Sequence, residues 1–145
     1  MKCVIQRVRS ASVSVEGEVV SRIGTGMLVL AAVEKGDTEQ QMSEAARKIR
    51  ELRIFSDDAG KMNRDVREAS GAILAVSQFT LAGSIDRGRR PGFDKAEEPE
   101  RAKAMFEMFV RELASTGIEV QTGRFRAMML VALENDGPVT FIYEN

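Results

Sequence analysis

The chain of 145 residues has no histidine and no tryptophan, a single cysteine, three prolines and only 6% aromatic residues. The missing imidazole excludes Ser-His and Cys-His nucleophile pairs and takes away the usual zinc ligand, so any chemistry has to be done by hydroxyls, carboxylates, amines or the backbone. One cysteine, Cys3, excludes an internal disulfide and a multi-cysteine metal site, and its place in an apparent strand makes it a small buried hydrophobe. No metal and no cofactor are expected. The longest unbroken apolar run, residues 27–33, is far below the roughly 18 residues of a membrane span, and the N-terminus lacks a signal-peptide apolar core. The expectation is a soluble cytoplasmic protein with no membrane partner. Lysine and arginine number 21 against 22 acidic residues, a net charge of -1, so an RNA ligand would have to be held by local arginine clusters. One such cluster is Arg87, Arg89 and Arg90.

The length suits one domain with a real core, residues 1–145. Residues 2–9 are β-branched and alternating, and Ala11, Val13 and Val15 lie opposite Ser10, Ser12 and Ser14, which predicts strands. Glu16-Gly17 supplies a turn into a strand at residues 19–23, although glutamate gains little at positive φ. A buried strand is expected at 27–33. Thr38 is placed to cap a helix in which Gln41 reaches back to the cap, with Met42, Ala45, Ala46, Ile49 and Leu52 at helical spacing. A second helix is expected from Pro99, with Ala102, Met105, Phe106, Phe109, Val110 and Leu113 on one stripe, until Gly117 stops it. Residues 57–63 read as a loop, and 72–81, 119–121, 127–133 and 139–143 as strands. Strands with two inserted helices imply a mixed α/β domain whose sheets are covered on one side by helices.

Two segments stand out, Ser77-Gln78-Phe79-Thr80-Leu81 and Asn135-Asp136-Gly137-Pro138-Val139-Thr140. In an extended strand Ser77 and Thr80 point to opposite faces, so both can meet one substrate only if the strand bends. A hydroxyl without a neighbouring base is a poor nucleophile, and by residue type alone these two read more readily as structural hydroxyls bonded to nearby backbone than as catalytic ones. Gly137-Pro138 is either an ordinary trans turn, as are about 95% of X-Pro bonds in folded proteins, or a backbone shaped by a cis bond. Asp57 and Asp58 sit in a glycine-bearing loop and read as a turn.

Together the two segments resemble the D-aminoacyl-tRNA deacylases, in which an S-Q-F-T-L strand and an N-x-G-P-V-T loop build the active site. The likeness runs from Val4-Ile5-Gln6-Arg7-Val8 to the C-terminal strand. It implies a compact fold of curved, partly barrel-like sheets with two main helices, a homodimer with the active site at the subunit interface, and the 3′ acceptor end of aminoacyl-tRNA as partner. Ser77, Gln78, Phe79 and Thr80 would be the catalytic segment, with backbone N–H groups of residues 78–80 receiving the developing oxyanion. By the same likeness Gly137 and Pro138 are a chiral selector in a cis peptide, reaching into the partner's pocket. Arg7 would fix that loop. L-aminoacyl esters would be rejected, and glycine mischarged on tRNA-Ala would be cleared. Arg87, Arg89 and Arg90 resemble the family's tRNA-contacting loop, and Arg124 and Arg126 would extend that surface. Departures occur at Ala82, where an aromatic is usual, Asp86, usually basic, and Arg126, usually glycine. A different class of reading is a non-catalytic RNA-binding dimer, though Phe79, Phe93 and Phe125 are the only aromatics near the basic segments.

Overall fold

The alternating apolar residues at the start of the chain make one long strand rather than two. In the computed structural model, which describes residues 1–86 and 88–145, the elements are β1 (Lys2–Val15), β2 (Glu18–Ile23), β3 (Gly26–Ala32), α1 (Glu39–Arg50), β4 (Phe55–Ser56), β5 (Met62–Arg64), β6 (Ala72–Ser77), α2 (Pro99–Ala114), β7 (Val120–Thr122) and β8 (Leu130–Glu144). Glu16 turns β1 into β2 at a φ of 52°, so the hairpin forms despite a residue that gains little there.

Because β1 is so long, both of its edges are used. Along one edge it pairs with β8, and along the other with β3 over residues 2–8 and with β2 over residues 11–15, all antiparallel. The sheet continues through the parallel pairs β3·β6 and β6·β7 in the order β2-β1-β3-β6-β7. It curls until β2 lies against β6 and β7 without pairing with either, giving a nearly closed, barrel-like mixed sheet.

Parallel strands buried on both faces need cover on both sides, and β3 and β6 have it. Leu28, Leu74 and Val76 face the barrel interior with Val8, Val13 and Ile23. Met27, Val29, Ala31, Ile73 and Ala75 face the helices, against Met42, Ile49, Phe106, Phe109 and Leu113. Full burial of each large apolar side chain contributes about 1.5–3 kcal/mol. At the start of this pair Gly26 touches the backbone of β6: a Cβ there would lie 1.9 Å from the Ala72 carbonyl oxygen.

Both helices begin as their sequences predict. Thr38 and Gln41 form a reciprocal capping box, and Pro99 occupies the first turn of α2. Ahead of α1, buried Asp37 accepts from the Met1 ammonium at 2.7 Å and from the Glu34 amide at 2.8 Å. Cys3 is buried and free, and burial pushes its thiol up to about 12. Asp57 closes an Asx-type turn by accepting from the Ala59 and Lys61 amides. The short β4–β5 ladder flanking that turn was not foreseen. Among the described residues no helix is long and apolar enough to cross a membrane.

Two expected strands differ. Residues 127–133 and 139–143 are not separate elements, because one strand, β8, runs from Leu130 to Glu144 and residues 127–129 precede it. The interruption at Gly137-Pro138 is absorbed as a bulge: Gln6 pairs with Thr140 and Val8 with Asn135. Residues 136–139 therefore bow out of the ladder while the pairing resumes on both sides. The other difference, at the end of β6, shapes the site.

Candidate active site

The ladder between β3 and β6 ends at the Ala31–Ser77 pair, and the Gln78 amide makes its last bond, to the Ala31 carbonyl at 2.8 Å. Beyond that point the chain has no strand to follow, so residues 79–82 close a 3-10 turn, with Leu81 N–H donating to Gln78 O at 3.2 Å and Gly83 N–H to Thr80 O at 3.0 Å. The expected strand at 72–81 thus stops at Ser77. This is the bend that lets Ser77 and Thr80 line one cavity.

That cavity, of about 580 Å³, is lined by residues 77–80, by Val33 and Val76 at the strand ends, by Glu97, Pro99 and Ala102 around the start of α2, and by Phe125, Met128 and Met129 from the segment before β8. Its wall is largely apolar with a few polar groups, as small-molecule sites commonly are. Thr80 is exposed, and its hydroxyl accepts a hydrogen bond from the Gln78 carboxamide. The oxyanion expectation narrows here. The Gln78 amide is committed to β3, whereas the amides of Phe79 and Thr80, which open the 3-10 turn, have no partner among the described residues.

Glu97 is the one carboxylate among the described residues lining the cavity. It accepts from the Glu98 amide at 2.9 Å and pairs with Arg101. The Glu98 amide, followed by Arg101, holds its carboxyl below the usual range, which makes it a weak general base.

Gly137 and Pro138 do not line this cavity. They form the cis peptide at the crest of the β8 bulge. Asn135 clips the bulge, accepting from the Val139 amide at 2.6 Å and donating to the Thr140 hydroxyl at 3.0 Å. Arg7 props it from β1: Nε donates to the Asp136 carbonyl at 2.9 Å and Nη1 to the Ile54 carbonyl at 2.5 Å. A Cβ on Gly137 would stand 2.6 Å from Val139 Cγ2 and 3.2 Å from Arg7 Nη2. Within one chain, then, the two signature segments are both built and are held apart.

With that geometry in place, likenesses to known proteins decide the family. The family described as "D-Tyr-tRNA(Tyr) deacylase" matches residues 4–144. A "D-aminoacyl-tRNA deacylase" of Pelobacter propionicus is 57% identical over 99% of both chains. The chain belongs to the D-aminoacyl-tRNA deacylase family. A deacylase of the same description from Persephonella marina is 54% identical over 100% of this chain and 98% of its own. Among solved structures, the "c-Myc DNA Unwinding Element Binding Protein" superimposes with a TM-score of 0.94 at 40% identity, covering 100% of this chain and 99% of that one. A "probable eukaryotic D-amino acid tRNA deacylase" shares the fold, with a TM-score of 0.81 at 17% identity over 98% of this chain and 97% of that one. As a member of this deacylase family the chain is a hydrolase acting on ester bonds.

Of the deacylase's expected RNA contacts, Arg87 lies outside the described residues. Arg89 and Arg90 are exposed on a loop pinched by the Ser84–Gly92 bridge, and they do not line this cavity. The base of that loop touches the site through Phe93, whose ring centroid is 5.1 Å from that of Phe79. Asp86 is used locally, accepting from the Ser84 hydroxyl at 2.9 Å, and Ala82 is buried. Nothing in the sequence marks Glu97, Met128 and Met129 as lining residues. They come from segments far from 77–80, and only the docking of α2 and the turn before β8 brings them to the cavity.

Proposed function

We propose that this chain hydrolyses the ester between a D-aminoacyl group and the terminal ribose of tRNA, and that it clears glycine mischarged on tRNA-Ala. The observation that carries the reading is the cavity at the end of β6, where a bend sets Ser77 and Thr80 on one wall beside the unpartnered amides of Phe79 and Thr80. An ester is already activated, so positioning and donors aimed at the developing oxyanion supply much of the acceleration. The Phe79 and Thr80 amides are those donors. Gln78 holds the Thr80 hydroxyl toward the site, and the ribose 2′-OH next to the ester takes part in proton transfer in place of a protein base.

Chiral selection belongs to Gly137 and Pro138, held by Arg7 and supplied by a second copy of the chain. Two features support the dimer. The selector bulge is absent from its own chain's cavity, and the edge strand β8 exposes Leu130 (73%), Ile142 (72%), Phe141 and Leu133, with Met128 (92%) at the cavity beside it. Apolar surface of that kind is ordinarily covered by a partner. Arg89 and Arg90, with Arg87, contact the acceptor end. The match over residues 4–144 supports a single domain that works as one unit.

The test is a deacylation time course on matched D-tyrosyl-tRNA and L-tyrosyl-tRNA with a strong chelator present. Fast loss of the D ester with the L ester spared is expected. Equal rates would refute the selector, and hydrolysis of neither would leave an RNA-binding dimer.

A further inference from the structure

A second groove, of about 700 Å³, runs beside the ester cavity between α2 and residues 122–126. The two are continuous: Pro99, Phe125 and Arg126 line both. From the join, the groove carries Arg124 on one wall and Lys103 and Arg111 on the other. Glu100 and Glu107 also line it, and Lys103 stands 3.9 Å from Glu107. Arg111, Arg124 and Arg126 are exposed, and among the described residues none has a carboxylate within ion-pair reach. Three unpaired guanidinium forks thus follow one groove away from the site, a layout suited to successive phosphates.

Arg126 is the hinge of this layout. Its backbone sits at a φ of 61°, a left-handed conformation that glycine adopts freely and an arginine adopts at a cost. The cost falls where the two cavities meet.

We infer that this groove is the track for the polynucleotide carrying the ester. The nucleotides on the 5′ side of the terminal ribose leave the ester cavity past Phe125. Arg126 holds the first phosphate and Arg124 and Arg111 those that follow. The inference rests on the deacylase reading above and adds the route of the RNA.

Two substrates test it, D-tyrosyl-tRNA and D-tyrosyl-adenosine, which has the ester and no 5′ phosphates. Arg126→Gly and the double variant Arg124→Ala with Arg111→Ala are assayed on both. Arg126→Gly should lose about tenfold more in kcat/KM on the tRNA than on the adenosine ester, the scale of one charge-assisted hydrogen bond, and the double variant, which removes two contacts, should lose more than that, both chiefly through KM. The slope of log kcat/KM against log salt should shrink by about 0.7 per lost phosphate contact. Arg126→Gly should melt no lower than the parent, since glycine relieves the left-handed backbone, so a kinetic loss there is not a folding loss. Equal losses on both substrates, or none, would overturn the track while leaving the deacylase reading in place. If the parent hydrolyses neither substrate, the deacylase reading falls and the track with it.

Discussion

Gly137 has no room for a side chain, since its φ is 144° and a Cβ would press on Val139 and on the guanidinium of Arg7. Arg7 is tied to two carbonyls and cannot yield without releasing the bulge. Gly137→Ala should therefore displace the crest and raise the L-to-D rate ratio at least about tenfold, or about 1.4 kcal/mol, measured on the paired tyrosyl-tRNA esters. At Ser77 and Thr80 the oxyanion reading makes a different forecast. Ser77→Ala and Thr80→Ala should each keep more than about a tenth of the rate, because the proposed donors are backbone amides; a loss that small excludes a covalent role, and a larger one would overturn the reading in which backbone amides suffice. Cys3 supplies a pH signature. Its thiol stays protonated up to about 12 in the folded chain against an ordinary 9.0, so between those values the unfolded chain gives up a proton that the folded chain keeps. Stability should be whole below about pH 9 and fall by up to about 1.4 kcal/mol per pH unit above it, as read by urea melts, with Cys3→Ala flattening the slope. The residues that could be read from sequence, Ser77 to Thr80 and Gly137-Pro138, lie in contiguous strings. Glu97 and Met129 could not, since nothing local marks a side chain whose neighbours come from elsewhere in the chain.

The pair β3·β6 is the element on which the site hangs. Both faces are buried, and Ser77 is the last residue in register, so any slip of β6 moves the turn at residues 79–82 and its wall of the cavity with it. Gly26→Ala tests this dependence. Its Cβ would collide with the Ala72 carbonyl at 1.9 Å, a clash with backbone that no rotamer relieves. The variant should lose several kcal/mol or fail to fold, within the range expected when a close backbone approach is broken, as measured by thermal melts. Helix boundaries were legible because Thr38, Gln41, Pro99 and Gly117 act through bonds a few residues away. The fate of residues 78–81 was not, because a strand ends where its neighbour ends, and the sequence of β6 does not say where β3 stops. The unity of β8 was hidden for a similar reason: Asn135 and Arg7 stitch the ladder across a gap that reads as a loop.

At the level of the whole molecule, barrel closure could be guessed only by family likeness, since no short-range signal tells β2 to return against β6 and β7. One feature of that architecture has a genetic reading. Each chain builds a cavity and a Gly137-Pro138 bulge that do not meet within it, so in the proposed dimer each pocket combines the cavity of one copy with the proposed selector of the other. A lesion at Thr80 severe enough to silence its pocket and the lesion Gly137→Ala then damage opposite contributions. When two such chains are unfolded, mixed and refolded, about half of the dimers are hybrids. In each hybrid one pocket carries both defects and the other carries none. Mixing should return selective D-ester hydrolysis in about a quarter of all pockets, measured against either variant refolded alone. Two defective alleles in one cell would then complement each other, whereas the same two changes carried on a single chain would not.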